Sequence, residues 1–406
     1  MLGSITIRGF KSIVAAEIQL GRLNVFIGAN GSGKSVVLEA MGVLGAGADG
    51  RVDDASLLRR GVRPGVPALY KNAFAEDDIP RVITLNARSN DSSPVVYDVS
   101  LDNPIEQGGA AWRFTHELLA MGEGRRLRKY VSRGPGGAKL WGPKGKTQSF
   151  KPQDRTRSVS DIPNPLGEPP ALVREFLHRL RSFAIYDPQT LVLRGISSEK
   201  APLDPVGING GRLAEALLEV IRGRLFRLEP FFELIGWAVD VGVGAPDSAL
   251  VAPSVSQPGQ IVRFVDRFMR EGRRLLPAYD ASEGALYVLF ALILLNHPRA
   301  PRTFAIENID HALHPRLARK LVEVMTAQAK EHDRQVLLTT HNPLVLDSLD
   351  LRDDDVRLFT VDRDKHGHTI IRQLPFTDAL EKAQHSGLTL SQMWTRGLIG
   401  AVPNIL

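Results

Sequence analysis

Cysteine is absent from the 406 residues. That absence excludes disulfide staples, thiolate zinc sites, iron–sulfur ligation and a cysteine nucleophile. Long apolar runs are missing as well. The longest, residues 285–295, has eleven members, whereas a bilayer-spanning helix needs about 20, so a membrane is not an expected partner. The N-terminal MLGSITIRGFKSI alternates apolar and polar residues without an apolar h-region or a small-residue cleavage site. No secretory leader is expected, and the cytoplasm is the expected address. Heptad repeats of a long coiled-coil arm do not occur.

What remains is the composition of a globular chain, 43% hydrophobic with 37 Gly and 26 Pro, long enough for two lobes or two to three domains. Its charge is mild overall, 51 Lys plus Arg against 45 Asp plus Glu, but unevenly spread. Residues 123–157 hold eleven bases against two acids, a local +9 that leaves −3 for the rest of the chain. Two readings stand side by side. One is a surface for the phosphate backbone of DNA or RNA, because clustered bases release counterions; the other is a solvated hairpin face.

Apolar alternation predicts strands over residues 4–7, 16–20 and 23–27, the last a continuous run that suits a buried strand. A helix follows over 34–44, with Val37, Leu38, Met41 and Leu44 on one stripe. Residues 70–160 read as a β-rich insertion. Helices are predicted over 171–181, 213–224 and 261–271, with the Pro- and Gly-rich stretch 241–259 as a surface loop. From Ser282 onward helix, strand (303–306), helix (315–329), strand (335–340), helix (343–349) and strand (356–361) alternate, which argues for a parallel α/β sheet. The expected layout is an N-terminal lobe over 1–160, a helical insertion over 161–275 and a C-terminal lobe over 276–406.

Between the third strand and the first helix lies Gly28-Ala29-Asn30-Gly31-Ser32-Gly33-Lys34-Ser35. Glycines let such a loop fold its N–H groups around phosphates, the helix N-terminus adds its positive end, and the Lys and Ser serve phosphate and Mg2+. The match of Gly45, Gly47 and Gly50 to a dinucleotide fingerprint follows a helix instead of a strand and reads as a loop. A metal-holding acid is expected at the end of a neighbouring strand, and Thr303-Phe-Ala-Ile-Glu307 supplies Glu307. The next apolar strand ends in His341. Ser282 and Gly284 open a helix whose N-terminus suits an anion. Asp362 and Asp364 belong to a strand-turn-strand pattern and read as turn formers. A metal cluster of His311, His314 and His341 is set aside, since His314 belongs to the start of a helix.

On these residues, together with Ile7-Arg-Gly-Phe-Lys-Ser12, Ile306-Glu-Asn-Ile-Asp-His-Ala-Leu-His-Pro315 and Thr339-Thr-His-Asn-Pro343, the chain resembles ABC-type AAA family ATPases of the SMC/RecF/OLD-like branch. The closing segment 388–400 is similar to the C-terminal helix of stand-alone members of bacterial anti-phage systems. The resemblance implies a P-loop NTPase head, α/β with a mostly parallel core sheet, in which Asn30, Gly31, Ser32, Gly33, Lys34 and Ser35 hold ATP and Mg2+. Ser282 and Gly284 would bind the γ-phosphate of ATP on a second copy, giving an ATP-dependent homodimer. Glu307 takes the Walker B acid position and also faces the metal, and His341 takes that of the switch histidine. Arg8 and Lys11 match bases near the nucleotide or else decorate an exposed strand. The glutamine loop finds no place in the sequence.

Relatives usually carry a second carboxylate directly after the Walker B acid, where this chain has Asn308; some relatives carry Glu-Asn-Pro-Glu here, and Asp310 occupies the matching last position. The resemblance therefore implies slow hydrolysis involving Glu307, Asn308, Asp310 and His341, and a switch acting on nucleic acid or on a separately encoded nuclease or toxin effector. The rival is an assembly module in which nucleotide is a structural ligand. A transporter motor lacks a membrane partner here. The 65 residues after His341 are too few for a Toprim nuclease domain.

Overall fold

The computed structural model describes residues 1–102, 112–199, 203–246 and 259–400. At its centre is a six-stranded sheet ordered β10 (Ile185–Tyr186), β14 (Thr303–Ile306), β15 (Gln335–Thr340), β3 (Leu23–Ile27), β16 (Val356–Arg363) and β17 (Thr369–Gln373). All neighbours are parallel except the terminal β16–β17 hairpin. This sheet draws β3 from the 1–160 segment, β10 from 161–275 and the rest from 276–406.

Along each strand, alternate side chains enter different cores, as the period of two requires. Phe26, Ala305, Leu337 and Phe359 face one core, whereas Val25, Ile306, Leu338 and Leu358 face the other. The first core is closed by an eight-stranded antiparallel sheet ordered β2 (Ile13–Gln19), β1 (Leu2–Phe10), β4 (Val82–Ser89), β5 (Val95–Asp102), β6 (Arg113–Met121), β7 (Arg128–Gly134), β8 (Gly137–Trp141) and β9 (Thr147–Phe150). A three-stranded sheet, β11 (Ala238–Gly244), β12 (Ile261–Asp266) and β13 (Leu275–Pro277), flanks the second core.

The helices are α1 (Lys34–Ala48), α2 (Asp54–Leu58), α3 (Ala171–Arg181), α4 (Thr190–Leu193), α5 (Leu213–Gly223), α6 (Glu229–Leu234), α7 (Glu283–Asn296), α8 (Pro315–Glu331), α9 (Asp378–His385) and α10 (Leu390–Thr395). No helix among the described residues is long and apolar enough to cross a membrane. Helix α1 lies between the two large sheets and is buried on nearly every side, not along one stripe as its pattern predicts. Its glycines serve that enclosure. A Cβ on Gly45 would stand 2.5 Å from the Leu180 carbonyl oxygen of the stretch ending α3. Gly45 and Gly47 thus belong to a tightly packed helix end, which corrects the loop reading.

Three further expectations change. Residues 261–271 form no α-helix: Ile261, Val262 and Phe264 are buried in β12, which pairs on both sides, and β-branched residues in a two-sided ladder override the helical spacing. The 161–275 segment, expected to be helical, also carries β10 to β13. Residues 343–349 tighten into a 3-10 turn over Pro343–Ser348. Of the expected loop over 241–259, residues 241–244 end β11, and 247–258 lie outside the described residues.

Gln335 joins the central and antiparallel sheets. Fully buried on β15, it accepts from the Leu2 N–H at 3.1 Å and donates to the Leu2 and Gly21 carbonyls at 2.8 and 2.7 Å. Gln335→Leu keeps the volume and strands these backbone groups. It should cost about 2–4 kcal/mol, summed over unsatisfied buried partners. The check is an unfolding transition at lower urea than that of the parent chain.

Candidate active site

The chain leaves β3 at Gly28 and enters α1 at Lys34, so the phosphate loop sits at the C-terminal end of a strand buried at every residue. Gly33 has φ 112°, and a Cβ there would lie 2.2 Å from the Thr369 hydroxyl. Thr369 needs that space. Its hydroxyl donates to the Ser32 carbonyl at 2.8 Å and stands 2.8 Å from the Ser12 hydroxyl. Arg363 Nε donates to the Gly31 carbonyl at 2.7 Å. The β16–β17 hairpin thereby fixes the outer wall of the loop, with Asn30 and Gly31 at its exposed lip.

Lys34 is buried, and its Nζ donates to the Gly28 and Ala29 carbonyls at 2.8 and 2.9 Å. Burial lowers its pKa against the opposing charges of Asp310 and Glu307. The Ser35 hydroxyl donates to Glu307 Oε1 across the gap between α1 and β14. Ser32 Oγ is buried without a hydrogen-bond partner among the described residues. An ammonium folded back on the loop, an orphaned hydroxyl and a hydroxyl–carboxylate pair are the donor set that phosphate with Mg2+ requires, and the residues present fit that group.

After Glu307 the backbone turns sharply. Asn308 has φ 50°, a conformation that Asn tolerates better than most residues, and its N–H donates to Thr339 Oγ1 at 2.9 Å. The turn carries Asp310 into the site. It is buried; Oδ1 accepts from the Thr340 hydroxyl at 2.6 Å, and Oδ2 lies 3.5 Å from Nε2 of the half-exposed His341. The structure therefore gathers residues 30–35, Glu307, Asp310 and His341 in one place.

Ser282 and Gly284 stand elsewhere. Ser282 is exposed and caps α7, its Oγ accepting from the Ala285 N–H at 3.2 Å. Among the described residues it shares no hydrogen bond with the phosphate loop. Lys11 is engaged by Glu39 at 2.6 Å and lies over the Tyr70 ring at 4.5 Å, whereas Arg8 is exposed on β1. Burial pushes the Glu39 carboxyl up, but Arg63 at 2.7 Å and Lys11 outweigh it and hold it below its usual range. His314 caps α8 through the Arg316 N–H, and Asp364 accepts from the His366 and His368 N–H groups as a turn former.

The sequence reading missed Asp187-Pro188-Gln189. These residues run off β10, whose Tyr186 pairs with Ile306, so the loop lies beside Glu307. Asp187 touches solvent but is crowded by protein, which together with the charge of Glu307 holds its carboxyl above the usual range. The short apolar Phe183-Ala-Ile-Tyr186 before Asp-Pro was the available signal. Tyr287 of α7 links this loop to the Glu307 turn: its hydroxyl donates to the Pro188 carbonyl and lies 2.8 Å from His311 Nδ1.

Comparison with known proteins gives three findings. Residues 23–347 match the family model AAA_21, described as "AAA domain, putative AbiEii toxin, Type IV TA system". The DNA replication and repair protein RecF of Magnetococcus marinus is 44% identical over 64 residues, which are 16% of this chain and 17% of that protein. The chain thus spans about a sixth of the length of that relative. Among solved structures, an SmcHead bound to the C-winged helix domain of ScpA superposes with a TM-score of 0.52 at 12% identity, covering 94% of this chain and 99% of the other.

Gly33→Ala should weaken ATP binding while leaving the fold intact, since a Cβ collides with Thr369 and the left-handed backbone costs a further ~1–2 kcal/mol for a non-glycine residue. Adding Thr369→Ala relieves the collision alone. Calorimetric titration should therefore show partial recovery in the double variant, and full affinity in the single variant would contradict the packing described here.

Proposed function

This chain belongs to the AAA_21 family of AAA domains, and we propose that it is an ABC-type ATPase of the SMC/RecF branch, a reading supported by the RecF similarity and the SMC-head fold, acting as a switch that binds ATP and Mg2+, dimerises around them and hydrolyses ATP slowly. The observation that carries this is the Ser35 hydroxyl on the Glu307 carboxylate beside a buried Lys34. Bound Mg2+ would neutralise phosphate charge there. Ser35 and Glu307 would hold it, and Lys34 would exchange the Gly28 and Ala29 carbonyls for phosphate oxygens. Gln189, on the loop beside Glu307, would supply the glutamine loop of the same site. Exposed Ser282 and half-buried Gly284, at the start of α7, would complete the site of a second copy.

Slowness follows from the base. An amide at Asn308 holds water but is no useful base near neutral pH, leaving Asp310, poised between Thr340 and His341, as the candidate to position or deprotonate it. The RecF similarity and the 123–157 charge support DNA or RNA as a partner. The ScpA-bound head supports a protein partner, and the toxin–antitoxin description of the family supports a role beside a separately encoded nuclease or toxin effector in the cytoplasm, in anti-phage defence. Asn308 also favours a second reading, a nucleotide-stabilised scaffold with negligible turnover.

Single-turnover hydrolysis separates the two. A well-placed carboxylate base contributes about 10²–10⁴-fold, so Asp310→Asn should lose most of the turnover with ATP affinity retained. Asn308→Asp, which keeps a side chain tolerant of φ 50°, should raise it. A parent chain without measurable turnover, indifferent to both changes, is the scaffold. For dimerisation, light scattering with a non-hydrolysable ATP analogue should show a doubled mass that Ser282→Arg abolishes, and an unchanged mass would refute the sandwich.

A further inference from the structure

Seven of the eleven basic residues of the 123–157 segment gather in two places. Arg125, Arg126, Arg128 and Lys129 gather where β6 passes into β7, whereas the far end of this hairpin borders a cavity of about 440 Å³. Arg81, Arg133, Lys151 and Arg155 line that cavity with Phe114 and the Gly134-Pro-Gly-Gly137 turn, and no carboxylate joins them. We propose that this cavity is an anion site, separate from the phosphate loop, that takes the phosphate group of a phosphate ester.

Arg133 makes the case. The residue is 5% exposed, yet its hydrogen-bond partners are backbone carbonyls: Nη2 donates to Arg157 at 2.8 Å, and its guanidinium lies 5.6 Å from the Phe114 ring. Nε is buried with no partner among the described residues. Buried polar groups are ordinarily hydrogen-bonded, and an orphan marks a place for a missing ligand or ion. The nearest acids are occupied. Glu117 accepts from Ser158 Oγ, Val159 N and Ser160 N at 2.5–3.0 Å, and Asp154 is turned to Arg51 at 3.1 Å and to Thr156. Arg81, Lys151 and Arg155 have no carboxylate within ion-pair distance among the described residues.

The buried Glu117, register partner of Arg133 across the β6–β7 pair, offsets one of the four charges; the remaining cations repel one another, and a ligand of at least two negative charges offsets that repulsion more fully than a single carboxylate would. Guanidinium forks match phosphate oxygens two at a time. The walls are fixed: the Phe114 N–H donates to the Arg155 carbonyl at 2.8 Å, which ties the 151–155 strap to β6. Glycines at the turn keep the mouth clear of side chains. The volume suits a nucleotide-sized compound or the end of a strand. Either source presents this charge: a free phosphate monoester carries two negative charges on one phosphate, and a nucleic-acid strand carries one on each of two successive phosphodiesters.

The test uses the full chain carrying Lys34→Ala, so that the phosphate loop does not compete, with inorganic pyrophosphate and a 12-nucleotide single-stranded DNA as probes. One pyrophosphate should bind per chain, and Arg81→Ala/Arg155→Ala should weaken it by roughly tenfold or more, as expected for lost charged hydrogen bonds. Arg125→Ala/Arg126→Ala should not. DNA binding alone, with the same pattern and a salt slope smaller by roughly one per phosphate contact removed, assigns the site to nucleic acid and supports the proposal equally. Both altered residues of the first pair are exposed; Lys151→Ala/Arg155→Ala is a second pair that keeps Arg81 and removes Lys151 in its place. A probe-dependent rise in unfolding temperature, present in the parent and missing in both pairs, should accompany binding. Binding of neither probe, or binding that both cavity pairs leave unchanged, overturns the site.

Discussion

The enclosure of α1 is the constraint from which the rest follows. A helix buried against an antiparallel sheet on one side and a parallel sheet on the other cannot rotate or slide without breaking both cores. Its N-terminus, and therefore Lys34 and Ser35, is consequently fixed relative to β3, β14 and β15. That fixation lets a carboxylate on one strand and a hydroxyl on the helix meet reproducibly across a gap. The glycines and alanines of α1 are the cost of the enclosure: no larger side chains fit between Leu180 and the helix at Gly45.

Electrostatics at the site follow from this rigidity. Lys34, Glu307 and Asp310 sit close enough to influence one another, and burial works against the lysine charge while the two acids support it. Among the described residues neither Glu307 nor Asp310 is paired with a lysine or arginine at ion-pair distance. Glu307 takes the Ser35 hydroxyl and Asp310 the Thr340 hydroxyl, with His341 beyond. Hydroxyls release a carboxylate to a metal or a water more readily than a guanidinium would, which distinguishes this cluster from the Lys11–Glu39–Arg63 group nearby, where charges neutralise each other and brace the wall.

Elements with strong local patterning were readable from the chain alone. Strands β3, β14 and β15 are continuous apolar runs of limited length, and their predicted bounds coincide with the observed ones. The phosphate loop, Glu307 and His341 were legible because each stands at the end of such a run. Two kinds of feature were not. The β12 strand alternates apolar residues in a way that also fits a helical stripe, and only its neighbours β11 and β13 decide between them. The Asp187–Gln189 loop follows a strand of two residues, too short to stand out, and its meaning comes from pairing with β14, a relation between positions 120 apart. Asp310 was visible as a carboxylate, but its burial between Thr340 and His341 depends on the left-handed turn at Asn308.

That turn also explains why Asn308 differs in kind from a lost catalytic group. A residue at φ 50° pays steric strain unless it is glycine or a short polar side chain, so the backbone that delivers Asp310 into the site favours asparagine at the preceding corner. Tyr287 extends the same logic to α7. Its hydroxyl touches the Pro188 carbonyl and His311 together, so the helix opened by Ser282 is mechanically joined to the two loops flanking Glu307. A displacement of α7 by whatever meets its exposed N-terminus must move Tyr287 or break a buried hydrogen bond, and in either case the disturbance reaches the turn that positions Asp310.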